Sequence, residues 1–292
     1  MSEQAWAKTA ELTCWSSRVD PKPLTGGITN TNFVVEDAGQ KYVVRIGDDI
    51  PVHGIMRFNE LAASRAAHAA GLSPKIIHSE PGVLVIDFID GKTLEAVDVR
   101  QPETLDQIVK IMKRIHHDIP PLLEGASLVF WVFQVLRDYR RTLKAGNSRM
   151  LDALQRLERI SDALEEAVGP VKLVFGHNDL LPANFINDGS KLWIIDWDYA
   201  GFNSPLFDLS NLASNNEFDV ELEHRLLESY FGASADAALW RSYSAMKCAS
   251  LLREAMWSMV SEIHSDLQFD YIAYTDENLE RFEQAYQSFR EI

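Results

Sequence analysis

Two segments in the second half of the chain place carboxylates directly after apolar runs that are typical of β-strands. Asp179 ends a His-Asn-Asp motif after the first run, and Asn184 follows it by five residues. Asp196 and Asp198 come after the second run. A carboxylate can accept or orient the proton of a hydroxyl group, and carboxylate and amide oxygens are ligands for Mg²⁺. The residue types and their spacing therefore fit phosphoryl transfer from ATP to an alcohol.

Within that chemistry, Asp179 suits the catalytic base, and Asn184 and Asp196 suit the Mg²⁺ ligands. The alternative is an ordinary loop in which Asn and Asp side chains only cap turns. Four such residues in register would occur by chance at about one in 10⁵ positions, given average residue frequencies. We therefore favour the catalytic interpretation of this segment.

The N-terminal part carries residues that could grip the phosphates of ATP. Gly27 would let the backbone approach a phosphate closely, and Thr29 and Asn30 would add side-chain donors. Arg45 lies in a predicted strand among apolar neighbours, and Glu60 on the next predicted helix could pair with it. Taken singly, each has a simpler explanation, since a Gly-Gly pair often forms a hairpin turn and charged residues often face solvent.

A predicted strand over residues 83–89 would connect the two halves of the molecule. The backbone groups of Asp87 and Ile89 could then bind the adenine edge of ATP. This assignment rests on position along the chain alone, because side chains contribute little to such contacts.

The pattern of elements changes near residue 90. Before it, a hairpin is predicted over residues 24–46, a helix over 57–70, and strands over 75–79 and 83–89. After it, apolar residues recur at helical spacing, and a β-rich interruption covers only 171–200. Helices are predicted near 102–115, 127–145, 148–167, 219–231, 236–263 and 276–290. We expect an α+β protein with a protein-kinase-like two-lobed fold, divided into residues 1–90 and 91–292.

Composition excludes several classes of protein. The chain has 292 residues and a net charge of −15, which argues against a nucleic-acid partner. The sequence contains neither an apolar run long enough to span a bilayer nor the apolar core of a signal peptide. Cys14 and Cys248 match no metal or redox spacing, so a cytoplasmic protein without a membrane partner is expected.

The negative charge is concentrated in the second lobe. The net charge is −3 up to residue 91 and −12 beyond it. Such a field would favour a cationic substrate, although solubility is the simpler explanation. A homodimer is left open by these observations.

Together the motifs resemble those of the choline/ethanolamine kinase family, in its bacterial branch, within the aminoglycoside-phosphotransferase-like superfamily. The resemblance extends from about residue 25 to 285. The supporting motifs are Gly26–Phe33, Arg45, Asn59-Glu60, Asp87-Phe88-Ile89, His177–Asn184, Ile195–Tyr199, Phe207–Asn211, and the late run from Trp257 through Ser265-x-x-x-Phe269-x-Tyr271-x-x-Tyr274 to Phe282.

This resemblance implies an ATP- and Mg²⁺-dependent kinase for a small cationic alcohol. Asp179 would be its catalytic base, Asn184 and Asp196 its metal ligands, and Asp198 an acidic residue that assists with a second metal. The resemblance also implies that Trp257 and Tyr274 surround the ammonium group and that Asp208 belongs to the substrate site. An ammonium over an aromatic face gains about 0.5–2 kcal/mol.

One departure from the family concerns the substrate. Where the animal enzymes have a second Trp, one helical turn before Trp257, this chain has Glu254. A carboxylate beside an indole suits a primary amine at least as well as a trimethylated one. Choline and ethanolamine are therefore the leading substrates, and thiamine, an aminoglycoside, or a catalytically silent binding module remain alternatives.

Overall fold

A computed structural model describes residues 3–24, 30–265, 267 and 269–292. Its N-terminal part is a five-stranded antiparallel sheet in the order β1-β2-β3-β5-β4. Two helices accompany the sheet. The elements are α1 (Glu3–Ala10), β1 (Lys22–Leu24), β2 (Thr31–Asp37), β3 (Gln40–Ile46), α2 (Arg57–Ala69), β4 (Ile76–Glu80) and β5 (Val83–Asp87).

The rest of the molecule is mainly helical and contains two small sheets, β6-β8-β9 and β7-β10. Its helices are α3 (Ala96–Val99), α4 (Pro102–Asp118), α5 (Val132–Ala145), α6 (Leu151–Val168), α7 (Pro205–Asn215), α8 (Val220–Phe231), α9 (Ala237–His264) and α10 (Tyr271–Arg290). Its strands are β6 (Lys92–Thr93), β7 (Val174–Gly176), β8 (Phe185–Asn187), β9 (Leu192–Ile194) and β10 (Gly201–Asn203). Single 3₁₀ turns lie at Pro51–His53, Pro120–Leu122 and Pro182–Asn184. The predicted α+β class, with a β-rich N-terminal lobe and a helical C-terminal lobe, is confirmed.

The helices form where the sequence alternates buried and exposed faces. In α4, Leu105, Ile108, Met112 and Ile115 are fully buried at helical spacing, and Pro102 occupies the first turn, where its missing N–H is not needed. The central helix α9 is buried along most of its length and packs against α5, α6, α7 and α10. No helix among the described residues is long and apolar enough to cross a membrane.

Two helices start at residues other than the predicted ones and a third helix was not predicted, each for a local reason. Helix α5 starts at Val132 rather than near 127, because Leu128 and Phe130 bond to the backbone of Phe202 as a strand would. Helix α10 starts at Tyr271 rather than 276, because the Asp270 carboxylate caps it. Helix α7 was not predicted, since nearly all of its residues are buried and it lacks the alternation that marks a surface helix.

The apolar core is continuous between the lobes. The larger of its two clusters runs through the helical lobe and also includes Ile55 and the inner alanines of α2. The smaller cluster lies between α1 and the outer face of the N-terminal sheet. A division at residue 90 remains a prediction, because α2 shares its core with the helices that follow.

The turn Pro51–His53 carries a buried histidine into the second lobe. The His53 ring lies 5.2 Å from the Trp257 ring, centroid to centroid. Its Nδ1 is 3.3 Å from the Tyr139 hydroxyl, and its Nε2 is 3.1 Å from the Ser261 hydroxyl. Burial, aided by the charges of Arg253 and His264, lowers the pKa of His53 to about 3. The imidazole is therefore neutral in the folded protein.

Replacing His53 with Gln should remove part of the acid sensitivity of folding. An unfolded histidine binds a proton below about pH 6.5, whereas folded His53 does so only near pH 3, so stability is lost as pH falls through this window. Between pH 6.5 and 5.5, the free energy of unfolding in urea should fall by about 1 kcal/mol more in the parent protein than in His53→Gln. His117→Gln, at an exposed position, is the control. Equal pH slopes in all three proteins would show that folded His53 takes up protons normally.

Candidate active site

A cavity of about 550 Å³ lies between the two lobes. It brings together residues that are far apart in the sequence, from the predicted hinge, the His-Asn-Asp loop and the last third of the chain. Ten of the predicted site residues line it: Arg45, Asp87, Ile89, Asp179, Asn184, Asp196, Asp198, Glu254, Trp257 and Tyr274.

The loop that carries Asp179 is held in place by the carboxylate of Asp208. Strand β7 ends at Gly176, and Asn178 then adopts a left-handed backbone conformation with φ of 64°. The backbone N–H groups of His177 and Asn178 donate to the two oxygens of Asp208, at 2.9 and 2.8 Å. The carboxylate thereby fixes the direction in which the chain presents Asp179.

Asp208 is 1% exposed and is not among the residues that line the cavity. His116 Nε2 lies 3.0 Å from it, and Nδ1 of the same ring is 2.6 Å from the Tyr230 hydroxyl. Burial opposes the charge on Asp208, but the hydrogen bond and charge of His116, with the charge of His177, lower its pKa. The expectation that Asp208 contacts the substrate is corrected: its two oxygens are used by the loop backbone and His116.

Asp179 is half-buried in the cavity wall, as its proposed role requires. Burial raises the pKa of its carboxyl to about 8, the charge of Arg253 holds it down, and those of Glu254 and Asp196 raise it further. A carboxylate with a pKa near neutrality is well suited to accept a hydroxyl proton and release it again. Asp179 therefore has the environment of a general base.

Asn184 and Asp196 lie beside this base with oxygen atoms available to a cation. The Asn184 amide nitrogen donates to the backbone oxygen of Asp179 at 2.8 Å, which orients its side-chain oxygen. Asp196 has a left-handed backbone with φ of 69°. The described residues contain no group of three or more His, Cys, Asp or Glu able to hold a metal alone. The donor set fits Mg²⁺, which commonly takes one or two protein oxygens and completes its shell with phosphates and water.

Arginines from the N-terminal lobe reach these carboxylates. Arg45 Nη2 lies 3.0 Å from Asp196 and 3.2 Å from Asp198, and Arg45 Nη1 is 3.1 Å from Glu60. The predicted pairing of Arg45 with Glu60 is thus present. Although burial disfavours its charge, the three carboxylates together raise the pKa of Arg45.

Arg57 takes part in the same network and was missed from the sequence. Its Nη1 lies 2.8 Å from Asp198 and 2.7 Å from Glu60. The i,i+3 spacing of Arg57 and Glu60 on one helix face was the available signal. Asp198, 3% exposed, thus faces two guanidinium groups and also accepts a bond from the Asn30 amide at 3.2 Å.

Three residues were predicted to form a phosphate-binding turn: Gly27, Thr29 and Asn30. Gly27 and Thr29 lie outside the described residues, whereas Asn30 is described and contacts Asp198. At the hinge, Phe88 N–H bonds to the Lys41 carbonyl, and Asp87 and Ile89 line the cavity beside apolar residues of the sheet. These positions are compatible with an adenine site.

The last third of the chain supplies an aromatic group with a carboxylate beside it. The rings of Trp257 and Tyr274 are 6.4 Å apart and nearly perpendicular, at 81°. Glu254 accepts a hydrogen bond from the Tyr274 hydroxyl at 2.9 Å. An ammonium group placed here would face aromatic surfaces and a negative charge at once.

Arg253 also lines the cavity and was not predicted. It is 2% exposed, and its Nη1 donates to Glu254 at 2.9 Å. The adjacent charges of Arg253 and Glu254 interrupt a mainly apolar stretch of α9, and that interruption was the sequence signal for a buried charged group.

Comparison with known proteins agrees with this site. The family model described as choline/ethanolamine kinase matches residues 22–228. Protein LicA of Haemophilus influenzae is 27% identical over 261 residues, which cover 84% of this chain and 75% of LicA. A probable ethanolamine kinase of Arabidopsis thaliana is 27% identical over 287 residues, covering 86% of this chain and 75% of that protein.

A solved structure of a related protein has the same fold. The crystal structure of a choline/ethanolamine kinase family protein from Mesorhizobium loti superposes with a TM-score of 0.76 at 26% identity. The alignment covers 97% of this chain and 94% of that protein. The predicted kinase-like two-lobed architecture is thereby confirmed.

Substituting Asn for Asp208 should destabilise the protein and slow turnover. Asn keeps one acceptor oxygen but presents an N–H₂ group to the loop backbone, which leaves a buried donor without a partner. The free energy of unfolding in urea should fall by about 3 kcal/mol. Asp106→Asn, which disturbs an exposed pair with Arg225, should change it by less than about 1 kcal/mol. Parent-like stability of Asp208→Asn would exclude the supporting role.

Proposed function

Since the chain belongs to the choline/ethanolamine kinase family, we propose that it transfers the γ-phosphoryl group of ATP to the hydroxyl of choline or ethanolamine. One observation carries this proposal. A single cavity between the lobes is lined by Asp179, which would be the general base, by Asn184 and Asp196, which would be metal ligands, and by the acidic aromatic pocket of Glu254, Trp257 and Tyr274. Those are the three parts that phosphorylation of a cationic alcohol requires.

Asp179 would accept the hydroxyl proton of the substrate as the oxygen attacks the γ-phosphorus of ATP. The proposal rests on its position in the cavity wall and on burial, which raises the pKa of the carboxyl to about 8. Asp208 and Asn178 contribute by fixing the loop, and Asn184 by bonding to the backbone oxygen of Asp179.

Asn184 and Asp196 would hold Mg²⁺, with Asp198 as an additional acidic ligand. Bound there, Mg²⁺ would neutralise charge on the phosphate oxygens of ATP. Arg45 would contact the same phosphates. Its ion pairs with Glu60 and Asp198 fix its orientation, and Arg57 pairs with the same Asp198. Asp87 and Ile89 would present backbone groups to adenine, and Gly27, Thr29 and Asn30 would cover the phosphates.

The ammonium group of the alcohol would lie against Trp257 and Tyr274, beside Glu254. Tyr274 fixes one oxygen of Glu254 by donating a hydrogen bond to it. His53 supports the indole of Trp257 from the first lobe. A primary ammonium can bond to the carboxylate through N–H, whereas a trimethylammonium gains only charge attraction and ring contact.

The alternatives from the sequence differ from this proposal in the substrate or in catalysis. A kinase for thiamine or an aminoglycoside would use the same base and metal ligands with another acceptor. A silent binding module would not need Asp179, Asn184 and Asp196 around one cavity. A cytoplasmic location, a homodimer, and the lack of nucleic-acid and membrane partners stay predictions from the sequence.

The function is tested by ADP release with Mg·ATP and, separately, choline, ethanolamine, thiamine and kanamycin. We expect turnover on choline or ethanolamine. Asp179→Asn should reduce kcat by at least about 10²-fold because the base is lost. ATP affinity, measured by calorimetry, should change little. Undiminished turnover in Asp179→Asn would remove Asp179 from the role of base, and turnover on thiamine or kanamycin alone would replace the proposed substrate.

Asp196→Ala should weaken ATP binding only when Mg²⁺ is present. The variant lacks a metal ligand, so we expect a loss of roughly tenfold or more in affinity with Mg²⁺. The internal control is the ATP affinity measured by calorimetry without Mg²⁺. We expect the variant and the parent protein to have the same affinity there, since Arg45 still contacts the phosphates. Equal losses with and without Mg²⁺ would indicate that Asp196 acts through Arg45 rather than through a metal.

A further inference from the structure

Arg253 is a buried cation in the wall of the catalytic cavity, with no part in the function proposed so far. It lies on α9 next to Glu254 and is 2% exposed. Asp179, Glu254 and Trp257 line the same cavity. Placing a guanidinium group there is costly unless its charge and its N–H donors are used.

Only part of this guanidinium group is used by the protein. Nη1 donates to Glu254 at 2.9 Å. The central carbon lies over the Tyr199 ring, 4.3 Å from its centre, and over the Phe130 ring, 5.8 Å from its centre. Such cation–π contacts stabilise the charge but supply no acceptor for the N–H donors.

Within the described part of the chain, Nε and Nη2 of Arg253 have no hydrogen-bond partner, although both atoms are buried. Although burial raises the pKa of the Tyr139 hydroxyl, the charge of Arg253 and a polar contact with its guanidinium group act in the opposite direction. That contact does not reach hydrogen-bond geometry at Nε or Nη2, so neither nitrogen has an acceptor among the described residues. A buried donor without an acceptor is unfavourable, so the two nitrogens indicate a ligand that brings oxygen atoms.

The position of Arg253 limits what that ligand can be. Among the charged neighbours of Asp179, Arg253 is the one that acts most strongly on the pKa of its carboxyl. Choline and ethanolamine offer only a neutral hydroxyl oxygen, which is a weaker acceptor for a guanidinium group than an anionic oxygen. The phosphoryl group that moves to the hydroxyl at Asp179 carries oxygens with negative charge.

We propose that Arg253 is a catalytic residue that binds the phosphoryl group on the acceptor side of the cavity, through Nε and Nη2. The inference rests on the proposed function. In the step, the alcohol oxygen forms a bond to the γ-phosphorus while the bond from that phosphorus to the β–γ bridging oxygen breaks. The hydroxyl proton passes to the Asp179 carboxylate, and ADP leaves with the electron pair.

The geometry also separates the two charges that the product carries. Glu254 lies between the guanidinium group, which binds one of its oxygens, and Tyr274, which binds the other. The phosphate of a phospho-alcohol would thus bind Arg253, and its ammonium group would bind at Glu254 and the aromatic rings. A two-donor arginine suits a phosphate better than a lysine, whose charge is a single point.

The first test compares binding of phosphoethanolamine and ethanolamine by calorimetry. Arg253→Met should lower the affinity for phosphoethanolamine by at least about tenfold, since the variant loses two charge-assisted hydrogen-bond donors. It should leave ethanolamine affinity unchanged or raised. An equal loss for both ligands would overturn the proposal, because it would show that Arg253 only orients Glu254.

Arg253→Lys serves as a second variant in case Arg253→Met does not fold, because it keeps a positive charge beside Glu254. We expect its melting temperature to equal that of the parent protein and its affinity for phosphoethanolamine to be lower. Parent-like product affinity and kcat in Arg253→Lys would overturn the two-donor contact. Arg241→Met is the matched control: Arg241 is on the same helix, stacks on Phe289 at 4.9 Å, and does not line the cavity.

Turnover supplies an independent test. Removing one preorganised donor to a transition state typically lowers kcat by about 10²–10³-fold, and we expect this loss in Arg253→Ala with ATP affinity retained. Added guanidinium ion at millimolar concentration should restore part of kcat in a saturable manner. The proposal would be overturned if the Arg253 variants kept both the kcat and the phosphoethanolamine affinity of the parent protein.

The two proposals can fail separately. If the parent protein phosphorylates none of the alcohols yet binds phosphoethanolamine through Arg253, the proposed function fails and the phosphate contact stands.

Discussion

The structure of this protein depends on one electrostatic constraint: several carboxylates lie in a single cavity, and their negative charges must be neutralised there. Asp179, Asp196, Asp198 and Glu254 line one cavity, where each charge is less well solvated than in water. Buried carboxylates are tolerated only with cations or hydrogen-bond donors close by. The N-terminal lobe meets this need with Arg45 at Asp196 and Asp198, and the C-terminal lobe meets it with Arg253 at Glu254.

The same constraint explains why the two lobes are joined so closely. Asn59 on α2 donates to the Ala200 carbonyl at 2.7 Å and accepts from the Leu128 N–H at 3.2 Å. Ser73 links the Trp197 indole to the Ile194 carbonyl. Together with His53, these bonds place the arginines and the carboxylates at fixed separations, which ion pairs alone do not achieve.

The sequence predicted which polar residues meet in the second lobe, because their proximity depends on short spacings. Asp179 and Asn184 are five residues apart, and Asp196 and Asp198 follow one strand, so their proximity is local. Most of the fold was predictable for a related reason: the buried face of α4 and the strand alternation of the hairpin are visible within single segments. Expected positions of Arg45 and Glu60 also agreed with the ion pair that forms.

What could not be predicted depends on contacts between distant segments. Asp208 lies in a motif that the family resemblance assigns to the substrate site. In the folded chain, its carboxylate instead accepts a hydrogen bond from the loop backbone 30 residues earlier, which the sequence does not reveal. His53 reaches Ser261 across 208 residues, and neither residue is unusual in its own surroundings. Arg57 and Arg253 were overlooked because a charged side chain is normally taken as solvated. In the structure, Arg57 pairs with the buried Asp198, and Arg253 pairs with the half-buried Glu254.

The contacts of Arg45 and Arg57 with Asp196 and Asp198 also bear on how Mg·ATP enters. Under the proposed function, binding would be an exchange of counterions rather than an addition of charge to an unpaired site, because Asp196 and Asp198 already pair with arginines. A metal ion held by the aspartates would take the place of an arginine, and the arginines would turn to phosphate oxygens. Since Mg·ATP would bring both signs of charge, the number of close ion pairs would be nearly conserved. Free ATP would bring only the negative half of this exchange, so the cavity would favour the metal complex over the bare nucleotide.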